Sequence, residues 1–124
     1  MNAGQLALLA GSLYGLLGVL LGAFGAHAMR DRLSPEMLRV WETAVQYQFW
    51  HALALLAVGL LAARLAGAWL NAAGVTFVLG VLIFSGSLYA LALTGIRVLG
   101  AVTPFGGILL IAGWLCLAMA VWRG

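Results

Sequence analysis

Seven polar side chains stand out in a chain that has few of them: His27, Glu42, Thr43, Gln46, Tyr47, Gln48 and His51. Histidine and glutamate are the usual tools of proton transfer, and imidazole also ligates haem iron and zinc. Six of the seven fall in WETAVQYQFWHALALL (41–56), where Thr43, Tyr47 and His51 recur at i, i+4 and i+8 and share one helix face. Glu42 and Gln46 flank that face, and Gln48 precedes His51 by three. The seventh, His27, closes GAFGAHA (22–28), just before the charged run Arg30-Asp31-Arg32.

The spacing excludes most of the chemistry these residue types bring to mind. If 41–56 folds back on the preceding segment about Leu33, His51 lies level with residue 15, about twelve residues or ~18 Å along the helix from His27. Axial haem ligands need similar depth, so bis-histidine haem is not expected. Zinc would need a second His or Cys at ligand spacing, which is absent. No glycine-rich phosphate loop follows a strand, and there is no nucleophile elbow. No metal or other cofactor is expected. The single cysteine, Cys116, sits in an apolar run and reads as a small hydrophobe.

The solvent for these groups is set by composition. Of 124 residues, 65% are hydrophobic and 7% charged, with a mean hydropathy of +1.13. A soluble domain carries about 25% charged residues, so this chain cannot build a water-facing surface and its partner is the lipid bilayer. The formal charge of +3 comes from arginines placed singly or in one short cluster. They read as membrane-edge anchors, and nucleic acid is not an expected partner. Ala26-His27-Ala28 looks like a signal-peptidase site, but MNAGQ carries no basic residue. The apolar run is about 20 residues, beyond the usual 7–15 of a signal peptide, so a retained membrane helix is expected.

Four apolar segments position the polar groups: about 5–29, 35–65, 71–93 and 104–122. Ser34-Pro35-Glu36 reads as N-cap, first-turn proline and first-turn acid, and Thr103-Pro104 as a second cap with proline. The second segment, at about 30 residues or ~45 Å, exceeds the ~30 Å hydrocarbon core, so its start from Glu36 to Glu42 belongs in the headgroup zone. Trp41 and Trp50 would mark an interface belt. Short connections make neighbours antiparallel, giving one all-α membrane domain over 1–124: four transmembrane helices in an up-down-up-down bundle. Arg30, Arg32, Arg39 and Arg97 lie at one end and Arg64 and Arg123 at the other. That bias puts the first set inside and both termini outside the cytoplasm.

Glycines in the first helix fall at 11, 15, 18, 22 and 25, in steps of four and three that trace one stripe. In lipid, helices associate through close packing, which small residues permit. Gly11, Gly15, Gly18, Gly22 and Gly25 therefore predict a seam, with Ser85, Gly86 and Ser87 as a second small-residue cluster. Serines here would bond back to the carbonyl four residues earlier. Across the hairpin, Gly22 and Gly18 lie level with Ala44 and Gln48, and His27 with Arg39–Glu42, so His27 would pair with Glu42 or Asp31.

GAFGAHA (22–28), ETAVQYQFWHALALL (42–56), FSGSLYALAL (84–93) and TPFGGILLIAGW (103–114), in that order, resemble the small YgdD/YwdK-type membrane proteins. This is a bacterial inner-membrane family with relatives in eukaryotes, carried as a domain of unknown function. The resemblance implies a four-helix inner-membrane protein and supplies no reaction or substrate. It carries over His27, Thr43, Tyr47, Gln48 and His51 as its polar positions. The expectation is a structural or accessory helical bundle, compatible with a homo-oligomer, and not an enzyme, since no soluble loop is left to hold a substrate. The alternative is a small proton- or cation-linked channel using Glu42, Gln46 and His51.

Overall fold

The computed structural model describes residues 1–124. It contains α1 (Ala3–Phe24), a π-helical turn (Gly25–Met29), α2 (Pro35–Leu65), α3 (Ala68–Thr94) and α4 (Leu99–Arg123). All four helices, α1 together with its π-turn, are long and apolar enough to cross a membrane.

Local chemistry sets the helix ends. Asn2 and Gln5 form a reciprocal cap, side chain to backbone at 2.8 and 3.0 Å, so α1 begins at Ala3 instead of residue 5. The Ser34 hydroxyl accepts from the Met37 N–H at 3.2 Å, with Pro35 in the first turn, as the sequence predicts for α2. Gly95 ends α3 in the left-handed region, φ 71°, where its N–H reaches the Leu91 carbonyl at 2.8 Å.

The start of α4 differs from expectation. Three short-range bonds, Leu99 to Ile96, Gly100 to Arg97 and Ala101 to Val98, nucleate it five residues before Pro104. Thr103 is thus inside the helix, its hydroxyl donating back to the Leu99 carbonyl at 3.3 Å, and Pro104 forfeits one helical hydrogen bond. Likewise α3 starts at Ala68, three residues before the expected 71, because Ala66-Gly67 suffices for the reversal.

Packing follows chain order: α1 on α2, α2 on α3, α3 on α4, with α1 and α4 out of contact. The centre is the α2–α3 pair, and the outer two helices face mostly lipid. Gly11 and Gly18 of α1 and Gly25 of its π-turn meet Leu55, Phe49 and Trp41 of α2. Trp41 and Tyr47 of α2 meet Tyr89 and Phe84 of α3, and Phe77 and Gly80 of α3 meet Gly113 and Leu110 of α4. Residue numbers fall along one helix as they rise along its neighbour, so neighbours run in opposite directions. Buried positions 41, 44, 48, 51, 55 and 58 of α2 advance in steps of three and four. That is the stripe a left-handed crossing uses.

The glycine seam is narrower than five residues and extends further back. A Cβ at Gly11 would come 2.8 Å from the Ala52 carbonyl oxygen, one at Gly18 would come 2.8 Å from the Phe49 ring, and one at Gly25 would strike the Trp41 indole. Gly4 joins them, 2.9 Å from the Ala62 Cβ on the same count. Gly15 has open space beside it, and Gly22 only ordinary contact with Val45 at 3.4 Å. The seam is thus every seventh residue, two turns apart, because only those positions return to the line of closest approach. Gly86 also faces open space, while Gly80, Gly106 and Gly113 make the close contacts between α3 and α4.

Candidate functional site

Of the seven polar residues that the sequence singles out, the fold buries two. Gln48 is 3% exposed and His51 4%. Thr43 and Tyr47 are half-buried, and His27, Glu42 and Gln46 are exposed. His27 pairs with neither Glu42 nor Asp31; the ion pair present is Arg97–Glu36, at 3.6 Å between exposed side chains. The stripe of α2 that turns inward is the three-and-four stripe through Trp41, Gln48 and His51. The i, i+4, i+8 line drifts off it, which leaves Thr43 and Tyr47 at its edge.

Gln48 is spanned from both sides. Its Nε2 donates to the Tyr14 carbonyl of α1 at 2.9 Å, and its Oε1 accepts from the Tyr89 hydroxyl of α3 at 2.6 Å. One amide thereby links three helices. Above it, the Trp41 Nε1–H donates to the Leu21 carbonyl of α1 at 2.9 Å, and the Trp41 ring packs edge-on against Tyr89 at 4.8 Å. Trp41 is 3% exposed. It is a core residue and no part of an interface belt; Trp50 is exposed on the opposite face of α2.

The two α1 carbonyls that accept from α2 each lie four residues before a glycine: Tyr14 before Gly18, Leu21 before Gly25. A helical carbonyl points toward the residue four ahead. Where that residue has no side chain, the oxygen keeps a free approach for a second donor. The glycines of α1 thus do two things: they let α2 come close and they uncover backbone acceptors for its side chains. The π-turn begins at Gly25, where the Trp41 indole occupies the space that a side chain would fill.

His51 is held by both ring nitrogens. Trp114 Nε1–H of α4 donates to Nε2 at 3.0 Å, and Nδ1 lies 2.7 Å from the Tyr47 carbonyl. Indole N–H only donates and a carbonyl only accepts, so the geometry assigns the neutral imidazole with its proton on Nδ1. Phe77 and Trp114 pack around the ring at 5.5 and 5.8 Å, and Tyr47 stacks on it at 6.1 Å.

The serines divide. Ser85 is 1% exposed and donates across to the Ala44 carbonyl of α2 at 2.7 Å. It does not bond back within its own helix as expected. Ser87 bonds back three residues and not the expected four, to the Phe84 carbonyl at 2.9 Å, and also meets the Thr103 hydroxyl of α4 at 2.6 Å. Tyr14 returns the link from α1 to α3, its hydroxyl on the Val78 carbonyl at 2.7 Å. No buried side-chain nitrogen or oxygen lacks a partner. The sequence reading missed Tyr14, Trp41, Tyr89 and Trp114 as members. Their signal is an aromatic with a polar tip inside an apolar run, where the tip needs a partner from the protein.

Fold and site together define a four-helix membrane protein with a closed internal network of polar and aromatic side chains. The chain belongs to the family described as "Protein of unknown function (DUF423)", whose profile matches residues 21–107. Among curated proteins it is similar to the UPF0382 membrane protein SH2409 of Staphylococcus haemolyticus, 46% identical over 119 residues, covering 96% of this chain and 97% of the relative. The UPF0382 membrane protein of Staphylococcus epidermidis is 47% identical over 110 residues, 89% of each chain. The UPF0382 membrane protein YwdK of Bacillus subtilis is 44% identical over 111 residues, 89% of this chain and 90% of the relative. No solved structure matches the chain. The resemblance to YwdK-type proteins read from the four motifs is therefore correct, and the biochemical role of these relatives is unknown.

Proposed function

We propose that the protein is a structural or accessory element of the membrane, a bundle whose internal polar groups fasten helices together and carry no solute. The observation that supports this is the complete pairing of the buried polar atoms, with both nitrogens of His51 engaged. A relay from Glu42 through Gln46 to His51 has no support: Glu42 and Gln46 point outward, and neither bonds to His51. A proton arriving at His51 Nε2 would have to displace the Trp114 donor. On this reading the polar residues are helix fasteners, and no reaction is assigned to them.

The test is wild-type protein in proteoliposomes under an imposed proton or potassium gradient of either sign, beside His51→Phe. No flux from the wild type, and a loss of thermal stability in His51→Phe, are the expected results. Gradient-driven flux that His51→Phe abolishes without loss of stability would replace this reading with the channel.

The same reading places the chain in the cytoplasmic membrane with the Arg30–Arg39 end inside and both termini outside, following the arginine bias. A C-terminal fluorescent fusion should then stay dark; cytoplasmic fluorescence would invert the topology. An accessory role needs a surface for other membrane chains or for further copies of this one. The outer faces of α1 and α4, with Leu13, Leu16, Leu20, Ile108, Ile111 and Leu115 exposed, offer it.

A further inference from the structure

The two ends of the molecule differ in charge. All three acids, Asp31, Glu36 and Glu42, lie at the end that holds Arg30, Arg32, Arg39 and Arg97, and Arg97 is paired with Glu36 there. At the other end Arg64, from the last turn of α2, and Arg123, from the last turn of α4, line one cavity of about 180 Å³. No aspartate or glutamate lines it. Gly124 does, and a free carboxylate there still leaves the two guanidinium groups in excess. The connection Ala66-Gly67 closes the floor, so two arginines from different helices converge on one opening at the membrane edge.

Leu70, 1% exposed, is a wall of this cavity and also of a larger apolar groove of about 400 Å³ between α1, α2 and α3. The groove is lined by small and aliphatic residues, among them Gly4, Ala7, Ala62 and Gly74. It lies within helices that cross the membrane. A cationic cavity at the membrane edge beside an apolar groove fits a molecule with an anionic head and a hydrocarbon tail.

We propose that this end of the bundle is a binding site for an anionic phospholipid, with the phosphate held by Arg64 and Arg123 and an acyl chain against the Gly74 groove. Arginine suits this role because its planar fork meets phosphate oxygens in pairs. Basic pockets between membrane helices hold anionic head groups by the same chemistry. The proposal is independent of the accessory role, since a channel would carry the same site.

Full-length protein in nanodiscs of phosphatidylcholine with a minor fraction of phosphatidylglycerol tests it, the lipids retained after detergent extraction being counted by native mass spectrometry. Wild type should retain phosphatidylglycerol in preference to phosphatidylcholine. Arg64→Gln and Arg123→Gln should each lower that preference about fivefold, the usual contribution of one basic residue near an anionic lipid surface. Arg30→Gln/Arg32→Gln removes the same net charge as the double Arg64→Gln/Arg123→Gln, but from the other end, and should leave the preference intact. Gly74→Leu should lower retention of both lipids without disturbing the fold, since a Cβ there meets only Val58 at 3.6 Å. Equal loss in the Arg64/Arg123 and Arg30/Arg32 pairs would reduce the effect to net charge and overturn the site. Arginine-dependent thermal stabilisation by millimolar inorganic phosphate in pure phosphatidylcholine, matching that by phosphatidylglycerol, would make the ligand a free anion and overturn the lipid assignment.

Discussion

The two outer helices are fastened to the central pair in different ways. Between α1 and α2 the glycines are mainly on one side: Gly4, Gly11, Gly18 and Gly25 receive α2, and only Gly59 answers from α2, against Leu8. Between α3 and α4 the glycines alternate, Gly80 of α3 receiving Leu110 while Gly106 and Gly113 of α4 receive Phe84 and Phe77. The hydrogen bonds differ in the same way. The α1–α2 seam is tied by side chains of α2 on carbonyls of α1, at Tyr14 and Leu21. The α3–α4 seam has one hydroxyl pair, Ser87–Thr103. A one-sided glycine stripe therefore brings helices close and also offers its carbonyls to the partner. An alternating one interlocks side chains and relies on shape.

If that contrast is right, the most damaging single change lies in the interlocked seam. Gly106→Leu places its side chain against the backbone N and Cα of Phe84, which cannot rotate away. A loss above ~3 kcal/mol, at or beyond the usual range for overpacking, should appear as failure to give a cooperative melt in detergent, with Gly107→Leu as control, its Cβ being 3.8 Å from the nearest atom. A normal melt for Gly106→Leu would mean that α4 can shift freely and that shape does not hold it.

In the carbonyl-bonded seam the test is chemical. Gln48→Leu removes the link from α2 to both Tyr14 and Tyr89 and should cost ~1–2 kcal/mol, the range reported for interhelical polar contacts in membranes. Tyr89→Phe in the Gln48→Leu background should then cost close to nothing more, because the hydroxyl has already lost its acceptor. Additive losses in this double-mutant cycle would show that the two groups act separately.

Smaller effects sharpen the seven-residue spacing. Gly18→Ala must push the Phe49 ring, which can turn, and should cost ~1 kcal/mol. Gly15→Ala meets nothing within 4 Å and should be neutral or stabilising by up to ~1 kcal/mol, since alanine is the better helix former. Equal losses at Gly15 and Gly18 on thermal unfolding would restore the five-glycine stripe in place of every seventh residue.

Composition and periodicity determined the class, the number of helices and the whole span of α2. Four long apolar runs in so uncharged a chain have no other solvent than lipid, and Ser34-Pro35 caps a helix by chemistry local to those residues. The hairpin register was legible to within one residue: a short turn near Leu33 sets Gly18 and Gly22 level with Gln48 and Ala44, and the side chains they meet are those of Phe49 and Val45. Only the tertiary structure decided which polar residues became internal. Glu42, Gln46 and Gln48 are separated by a few residues of one helix, yet Gln48 alone lies on the stripe where α1 and α3 both approach. That stripe depends on crossing geometry, which no local property of α2 encodes. The partners were out of reach for the same reason. Gln48 finds a carbonyl of α1 uncovered by Gly18, His51 finds Trp114 sixty-three residues on, and Ser85 finds Ala44 forty-one residues back. The start of α4 at Leu99 was missed on other grounds: proline signals a boundary within a few residues, and the turn bonds at 96–101 fix which one.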